Sequence, residues 1–441
     1  MTKTIAPAAR VADTAHGKGI TGMPTATVVD RATSVTAVGH DPGRPVRLLV
    51  FTSLYPNSEQ LRNGIFIEER LRRLVATGRV SATVVAPVPW FPFRNRRFGA
   101  YATYARVPER EERHGIHILH PRYPVIPKIG MNVGAGWMAR AALPIMRELV
   151  DHGTFDLIDA HYFYPDGVAA ARLGFVLRKP VVISARGSDV NVIARYKSPR
   201  RQMCWAAGRA VAIIAVSETL RQKIVALGVP SQKLTTLRNG VDLVMFRPLD
   251  RTAIRAALDL QGRTWLAVGN LVEPKGVHVA IAALAQVLEA TLMVIGAGPE
   301  RNALQRLAEQ LGVAGRVRFI GTVAHGDLCA YYNAADALVL ASSREGMPNV
   351  VLESLACGTP VIAAPFDSAA ELLSTPDAGE IAESRTAQAV VAAWRRLECR
   401  RPERAATRRY AESLGWAPVL DAQCALYARM VQIDAQSRGG K

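Results

Sequence analysis

From Val46 onward, short apolar runs alternate with longer stretches of helical periodicity. Runs rich in Val, Ile and Leu that are interleaved with helices are typical of parallel strands with both faces covered. The runs form two successive sets, so the pattern predicts an α/β fold with two doubly wound domains. The first set comprises residues 47–53, 82–87, 116–120, 157–161, 181–185, 212–216 and 234–237, and the second comprises residues 265–269, 291–295, 317–320, 337–340 and 361–364.

A turn sequence separates the two sets. Residues 239–242 read Asn-Gly-Val-Asp, and Pro248 follows. Because Asn-Gly is a turn signal and proline resists helix continuation, we place the interdomain linker there. The predicted domains are residues 46–238 and residues 239–406. A terminal segment, residues 407–441, contains an amphipathic stretch that predicts a helix able to return over the first domain.

Residues 1–45 contain few large apolar side chains and no hydrophobic period, which predicts a disordered tail. Two doubly wound domains in series place the carboxyl ends of two parallel sheets opposite each other. A ligand is therefore expected in the crevice between them.

Length and cysteine content narrow the class of protein. The chain has 441 residues, of which 49% are hydrophobic, and this suits two domains. Five cysteines without a Cys-x-x-Cys spacing argue against a disulfide framework or a zinc site. No apolar run approaches the roughly 18 residues that span a bilayer, and the amino terminus has no signal-peptide pattern. We therefore expect a cytoplasmic protein, at most peripheral at the inner face of the cell membrane.

The charge of the chain is concentrated in one half. Of the net +18, residues 46–238 contribute 29 Lys/Arg against 13 Asp/Glu, or +16, whereas residues 239–441 contribute 21 of each, or zero. A basic domain is attracted to anionic lipid or to a phosphate-bearing acceptor. A general arginine bias of the source is the alternative explanation.

Residues 345–353 (EGMPNVVLE) carry the strongest chemical signal. Proline is favoured in the first turn of a helix, so a helix is predicted to begin near Pro348. The free amides of its first turn, at Asn349, Val350 and Val351, would bind an anion such as a diphosphate. Gly346 would form the turn before the helix.

This segment resembles the Glu-x7-Glu signature of glycosyltransferase family 4. The resemblance covers about residues 46–430 and is more specific in the second half. It implies a GT-B fold, with two doubly wound Rossmann-like domains that face each other across a cleft. It also implies that Glu353 holds the donor ribose and that Glu345 faces the transferred sugar.

Residues 269–276 (GNLVEPKG) resemble the loop of that family in which an Arg and a Lys bind the donor diphosphate. Lys275 matches the Lys, while Asn270 occupies the usual Arg position and Gly269 precedes it. Gly298 belongs to a further match, a Gly-x-Gly-Pro turn after a strand. A dinucleotide fingerprint is disfavoured there, because Arg301 stands where the third glycine would be.

The first domain carries the looser matches. Residues 184–189 (SARGSD) resemble a His-Gly-x-Asp block near the transferred sugar, with Arg186 in place of the His and with Asp189 as the Asp. Arginine stays protonated and is no base, but its planar fork can bind the sugar or the diphosphate. His161 is a candidate for the acceptor pocket or for a structural role. In the loop after the first strand, Asn63 and Gly64 would allow close backbone approach or form a plain turn.

The resemblance implies a retaining glycosyltransferase that moves a sugar from a nucleotide-sugar donor to a hydroxyl acceptor, without a cofactor or a metal. No Asp-x-Asp motif occurs.

Residues 87–98 (PVPWFPFRNRRF) interleave aromatic and arginine side chains, and residues 126–149 form an apolar stretch. Both suit a membrane interface, although core or lid positions are alternatives. We therefore predict a lipid-linked sugar acceptor and an anionic membrane surface as partners, and no nucleic acid.

Two other functions stay open at this point. A GT-B-fold nucleotide-sugar isomerase would also bind a nucleotide sugar in the crevice. A non-catalytic nucleotide-sugar or nucleic-acid binding protein would fit the basic charge and the Arg186 departure. The spacing of Glu345 and Glu353 favours transfer.

Overall fold

The computed structural model describes residues 44–125, 130–153 and 155–439. The predicted disordered tail lies outside these ranges except for Arg44 and Pro45, as do the first four residues of the apolar stretch 126–149. The described strands are β1 (Val46–Phe51), β2 (Val80–Val85), β3 (Val88–Pro89), β4 (Arg110–Arg113), β5 (Ile116–Leu119), β6 (Arg122–Tyr123), β7 (Leu157–His161), β8 (Val181–Ala185), β9 (Ala212–Ala215), β10 (Leu234–Thr236), β11 (Arg263–Val268), β12 (Ala290–Ile295), β13 (Val317–Gly321), β14 (Ala337–Leu340), β15 (Val361–Ala363) and β16 (Gly379–Ile381).

Helices follow most strands, as the alternating pattern predicts. The described α-helices are α1 (Ile65–Ala76), α2 (Ala100–Arg106), α3 (Gly130–Asp151), α4 (Val168–Leu177), α5 (Ser188–Asn191), α6 (Lys197–Arg209), α7 (Glu218–Ala226), α8 (Arg251–Ala257), α9 (Val277–Leu284), α10 (Arg301–Gln310), α11 (Leu328–Ala334), α12 (Asn349–Ala356), α13 (Ala369–Leu372), α14 (Ala387–Arg400), α15 (Arg404–Glu412) and α16 (Trp416–Gly439).

The strands form two large sheets and one short pair. The first sheet has the order β10-β9-β8-β7-β1-β2-β5-β4, and the second has the order β13-β12-β11-β14-β15-β16. Strands β3 and β6 form the pair. All neighbours in both large sheets are parallel except β4 and β5. The α/β fold with two doubly wound sheets is therefore confirmed, and the predicted boundary near residue 239 falls between β10 and β11.

The edge of the first sheet carries a strand that the apolar pattern does not predict. Strand β4 has the sequence Arg-Glu-Glu-Arg and pairs antiparallel with β5. It has no apolar run, because an edge strand with half-exposed faces does not need one, and charged residues there discourage further pairing. Strand β16 has the sequence Gly-Glu-Ile and was also missed, because only one of its three residues has an apolar side chain.

Strand order reverses at one point in each sheet. Chain order runs outward on both sides from the pair β11 and β14, and it does the same from the pair β1 and β7 except that β4 lies outside β5. In open α/β sheets the crevice for a ligand opens at such a reversal, outside the carboxyl ends of the strands. The segments after these four strands are therefore expected to contribute to the site.

The last helix lies on the first sheet. Tyr427 of α16 donates a hydrogen bond to the Asp159 carboxylate of β7 (2.7 Å), and Arg70 of α1 donates to Gln423 (2.7 Å). The chain thus crosses between the two sheets twice. The crossings touch, because the amide of Val241 in the linker donates to the carbonyl of Leu414 (3.0 Å).

Gly64 shapes the loop between β1 and α1, and its replacement by alanine is expected to lower the free energy of unfolding by about 2–4 kcal/mol. Its φ is +68°, and a Cβ atom there would lie 2.0 Å from the carbonyl oxygen of Leu54. Gly78 is the matched control, since its φ is +71° and a Cβ atom would meet nothing within 4 Å. Urea denaturation of both variants would check this. Equal losses of unfolding free energy would contradict a role for the contact with Leu54, because backbone strain is the same at both positions.

Candidate active site

A cavity of about 440 Å³ opens where the carboxyl ends of the two sheets face each other. One wall comes from loops of the first sheet, and the other comes from the linker and loops of the second. The lining residues are Leu54, Phe66, Tyr162, Arg186, Ser188, Asn191 and Val216 on the first wall, and Asn239, Lys275, Arg344, Glu345, Gly346, Met347, Pro348, Asn349 and Val350 on the second.

Helix α12 points its amino end into this cavity. It begins at Asn349 directly after Pro348, as the sequence predicts, because proline is compatible with a helix start but not with its interior. Asn349 and Val350 line the cavity. Val351 departs from the prediction: its amide donates to the carbonyl of Pro348 (3.2 Å), and its side chain is buried. The predicted anion site is thus narrowed to the first two amides.

Lys275 and Glu345 form an ion pair on the second wall. The Nζ atom of Lys275 lies 2.7 Å from Oε1 of Glu345, which also accepts from the Ser342 hydroxyl (2.8 Å). Both charged groups line the cavity. Because a partly exposed ion pair is weak, an incoming anion can replace Glu345 as the partner of Lys275.

The other residues predicted on this side support the loop and do not line the cavity. Gly269 lies beside the Lys275 side chain, at a φ of +149°. Gly298 packs on the Leu271 backbone, where a Cβ atom would lie 2.3 Å from the carbonyl oxygen. Asn270 is exposed and is not among the lining residues, so no cation replaces the usual Arg at that position.

Two glycines let the walls meet. A Cβ atom on Gly346 would lie 2.1 Å from the carbonyl oxygen of Arg186, and one on Gly187 would lie 2.9 Å from the Cα atom of Gly346. The loops after β8 and β14 therefore touch backbone to backbone. Gly346 acts in this contact as well as in the predicted turn.

Arg186 is held from behind by a buried polar chain. Its Nη2 donates to Nδ1 of His161, and the opposite ring nitrogen of His161 lies 2.9 Å from the Asp159 carboxylate. Burial, together with the nearby Arg70, lowers the pKa of Arg186 to about 9, so the guanidinium is charged at neutral pH. His161 does not line the cavity; its position is behind Arg186.

Asp189 and Asn63 shape loops and do not face the cavity. The buried Asp189 carboxylate accepts from the amides of Phe163 (2.7 Å) and Gly187 (2.8 Å), and it also bonds the amides of Arg186 and Val190. Asn63 donates to the carbonyl of Ser53 (3.1 Å). Both residues thereby hold the backbone from which lining residues project.

Glu353 occupies a separate narrow pocket that adjoins the cavity at Asn349. Its carboxylate accepts from Nε2 of His325 (2.9 Å) and from the hydroxyl of Tyr332 (2.8 Å). Nδ1 of His325 lies 2.9 Å from Glu69 of α1, so this ring links the two halves of the chain. The structure does not bring Glu353 and Glu345 into one cavity.

His325 should make stability depend on pH. Its two carboxylate partners raise its pKa to about 10. Because the folded value lies above the unfolded value of about 6.5, the added stability is present below pH 6.5 and is lost as pH rises through 10. A third of the side chain reaches solvent. We therefore expect the free energy of unfolding to fall by only about 1–2 kcal/mol over this pH range. Urea denaturation of wild type and His325→Gln across this range would test it. The same change at exposed His117 is the control, and an unchanged wild-type stability would contradict the assignment.

Several lining residues escaped the sequence analysis. Arg344 directly precedes Glu345, and its place beside a predicted site residue was a usable signal. Phe66, Tyr162 and Asn191 carry no motif and reach the cavity only through folding. Among the described residues, no group of three or more His, Cys, Asp or Glu side chains is arranged to hold a metal ion. None of the described helices is long and apolar enough to cross a membrane.

Family models match both halves of the chain. A model described as glycosyl transferases group 1 matches residues 250–414, and a model described as Glycosyltransferase Family 4 matches residues 100–244. The teichuronic acid biosynthesis glycosyltransferase TuaC of Bacillus subtilis is 31% identical over 328 residues, which cover 72% of this chain and 80% of TuaC. The D-inositol 3-phosphate glycosyltransferase of Mycobacterium tuberculosis is 31% identical over 249 residues, 52% of this chain and 51% of that protein.

Solved structures share the fold at low identity. Sucrose-phosphate synthase of Thermosynechococcus elongatus superposes with a TM-score of 0.71 at 19% identity, covering 88% of this chain and 100% of that one. HepE of Anabaena, in complex with UDP and glucose, superposes with a TM-score of 0.63 at 19% identity, covering 87% of this chain and 98% of that one.

Proposed function

Because the chain belongs to glycosyltransferase family 4, we propose that it transfers a sugar from a nucleotide-sugar donor to a lipid-linked acceptor, with retention of configuration. The chain is a glycosyltransferase with the GT-B fold. Its relatives are named glycosyltransferases, which favours transfer over the isomerase and the binding protein that the sequence left open. The observation that carries the proposal is the Lys275–Glu345 pair beside the amino end of α12, in a cavity at both strand-order reversals.

The donor diphosphate would bind to the second wall. The amides of Asn349 and Val350, with the helix dipole behind them, favour an anion at this point. Lys275 would exchange its Glu345 partner for the diphosphate, and Arg344 would add a second charge. This exchange frees the Glu345 carboxylate to accept hydrogen bonds from hydroxyls of the transferred sugar. HepE, which shares the fold, was solved in complex with UDP and glucose, and this supports a nucleotide-sugar donor.

The donor ribose is assigned to Glu353. One carboxylate can accept from two neighbouring hydroxyls, and the pocket of Glu353 adjoins the cavity at Asn349. Tyr332 and His325 already hold the carboxylate. Ribose binding would therefore draw on the free lone pairs of a pre-oriented group or displace His325.

Retention follows if the acceptor attacks from the face that the diphosphate leaves. The bond between the anomeric carbon and the diphosphate oxygen breaks, and the acceptor oxygen forms the new bond on the same face. The acceptor proton passes to the departing diphosphate, so no protein base is required. Lys275, Arg344 and the α12 amides would stabilise the negative charge that develops on the leaving group.

The acceptor would be presented by a membrane surface. Trp90 and Phe93 are more than half exposed, at 57% and 54%, and Phe93 stacks on Phe98 (5.2 Å). Arg97 lies over the Phe98 ring at 4.9 Å. Exposed rings beside cations suit the headgroup layer of an anionic membrane, and residues 46–238 carry the net charge of +16. We place the enzyme at the inner face of the cell membrane.

Membrane binding is expected to depend on these rings. The double variant Trp90→Ala/Phe93→Ala should reduce co-sedimentation with vesicles containing anionic lipid by about 10-fold. Each substitution removes a ring, and with it the apolar area that the ring would bury in the membrane. Phe175→Ala is the matched control, since Phe175 is 68% exposed elsewhere on the first half. The proposal would be contradicted if Trp90→Ala/Phe93→Ala and Phe175→Ala bound the anionic vesicles equally well. It would also be contradicted if wild type bound zwitterionic vesicles as well as anionic ones.

The donor is best tested by thermal shift with a panel of UDP-, GDP- and ADP-sugars. A ligand at 100 times its dissociation constant should stabilise the fold by about 2.7 kcal/mol. We expect one nucleotide series to stabilise wild type and to lose its effect in Lys275→Ala. Stabilisation by no nucleotide sugar would refute the proposed donor site.

A further inference from the structure

Arg186 lines the cavity, and not all of its hydrogen-bond donors are satisfied. A guanidinium has five N–H donors. His161 Nδ1 accepts one, and Asn239 Oδ1 accepts another over a long 3.4 Å. The Nε atom is buried and has no hydrogen-bond partner. The Asp159 and Asp189 carboxylates act on the guanidinium through space, but among the described residues no carboxylate forms an ion pair with it. A carboxylate on a ligand would make that direct contact.

A buried chain of side chains gives this guanidinium one orientation. Tyr427 donates to Asp159, whose carboxylate also holds the Nε2–H of His161. That contact leaves Nδ1 of His161 as the acceptor for Arg186, and burial lowers the pKa of His161 so that the ring stays neutral. On the cavity side, the ring of Phe66 lies 5.6 Å from the guanidinium carbon. The arrangement is a built subsite rather than a mobile surface charge.

The donor diphosphate does not account for this subsite. In the proposed function the diphosphate is bound on the opposite wall, by Lys275, Arg344 and the amino end of α12. Arg186 belongs to the first wall, opposite these groups. A substrate that spans the cavity from the diphosphate toward the first wall brings its sugar, not its phosphates, to Arg186.

We propose that Arg186 binds a carboxylate on the transferred sugar, so that the preferred donor is a nucleotide-activated uronic acid. The inference rests on the proposed function and names its substrate class. A carboxylate matches the planar guanidinium fork with two parallel hydrogen bonds and adds a negative charge in direct contact with it. A neutral hexose offers only a hydroxyl, which makes a weaker hydrogen bond to the cation.

The test compares three ligands of one nucleotide series by calorimetry: UDP, UDP-glucose and UDP-glucuronate, with GDP, GDP-mannose and GDP-mannuronate as the second series. Wild type is expected to bind the uronate about 10- to 100-fold more tightly than the neutral sugar, the range for a charge-assisted hydrogen-bonded contact. Arg186→Met should abolish this ratio and leave the affinity for the bare nucleotide unchanged. Arg186→His should shift preference toward the neutral sugar. Arg301→Met is the matched control, since Arg301 lies over the Phe319 ring at 5.8 Å outside the cavity.

The outcomes separate the inference from the function on which it rests. Equal affinity for uronate and neutral sugar in wild type would overturn the inference and leave the donor site standing. A loss in Arg186→Met that is as large for the bare nucleotide as for the uronate would make Arg186 a diphosphate ligand, which also overturns it. Binding of no nucleotide in either series would refute the proposed function, and the inference with it.

Discussion

Replacing Lys275 by alanine is expected to lower kcat/KM by about 10²- to 10³-fold, the loss typical for removal of one preorganised group from a developing charge. In the proposed reaction this ammonium neutralises the leaving diphosphate. The change also leaves Glu345 without its 2.7 Å partner, next to the incoming phosphates. Repulsion between the two should therefore weaken donor binding as well as slow transfer, so that KM rises and kcat falls.

Steady-state kinetics with the nucleotide sugar from the donor panel would measure this effect. Arg396→Ala is the control, because Arg396 pairs with Glu380 (2.9 Å) away from the cavity and its loss should change kcat/KM less than 2-fold. Lys275→Ala/Glu345→Gln would remove the repulsion and recover part of the KM effect. A single Lys275→Ala variant with wild-type kcat would rule out a role in leaving-group stabilisation.

Asp159→Ala is expected to lower the free energy of unfolding by about 3–5 kcal/mol, the cost of breaking a buried charge network from one side. The carboxylate is fully buried and holds Tyr427 at 2.7 Å and His161 at 2.9 Å. Its removal leaves both groups without an acceptor, and it leaves the buried Arg70 guanidinium without the nearby negative charge. The same loss should loosen Arg186 through His161.

Urea denaturation would measure this loss against two reference variants. Tyr427→Phe removes only one hydrogen bond and should cost about 1 kcal/mol. Asp421→Ala removes an exposed carboxylate of α16 that pairs with Arg79, and it should stay within about 0.5 kcal/mol of wild type. Equal losses for Asp159→Ala and Asp421→Ala would show that burial does not determine the cost.

Buried strands stand out most clearly in the sequence, although the edge strands β10 and β13 were predicted as well. Strands β7, β8 and β14 have every residue buried, so their apolar runs stand out from the surrounding helices. Strand β4 was missed because hydrophobic pattern reports burial, and an edge strand with charged residues has little. The same reason hid β16, which is short.

The site divides along a similar line. Lys275, Glu345 and the start of α12 could be predicted because each lies within a short segment whose local chemistry suggests an anion site. Phe66 lies in the first turn of α1 and Tyr162 follows β7, so the two join the cavity only through folding. Asp189 was predicted near the acceptor, but its carboxylate accepts hydrogen bonds from four backbone amides.

Local patterns along the chain were sufficient for the α/β class, for two successive sheets and for the start of α12 directly after Pro348. These features depend on burial and on backbone chemistry within a few residues. The ion pair between Lys275 and Glu345 joins positions 70 residues apart and was not predicted. The hydrogen-bonded series Tyr427, Asp159, His161 and Arg186 has no such local signal. It joins α16 to β7 across 268 positions and continues to the residue after β8. The partner of Glu353 is likewise a histidine from another loop, and the Gly187–Gly346 contact joins two sheets. Contacts between distant segments depend on how the sheets pack, and packing is specified by the whole chain rather than by any one motif.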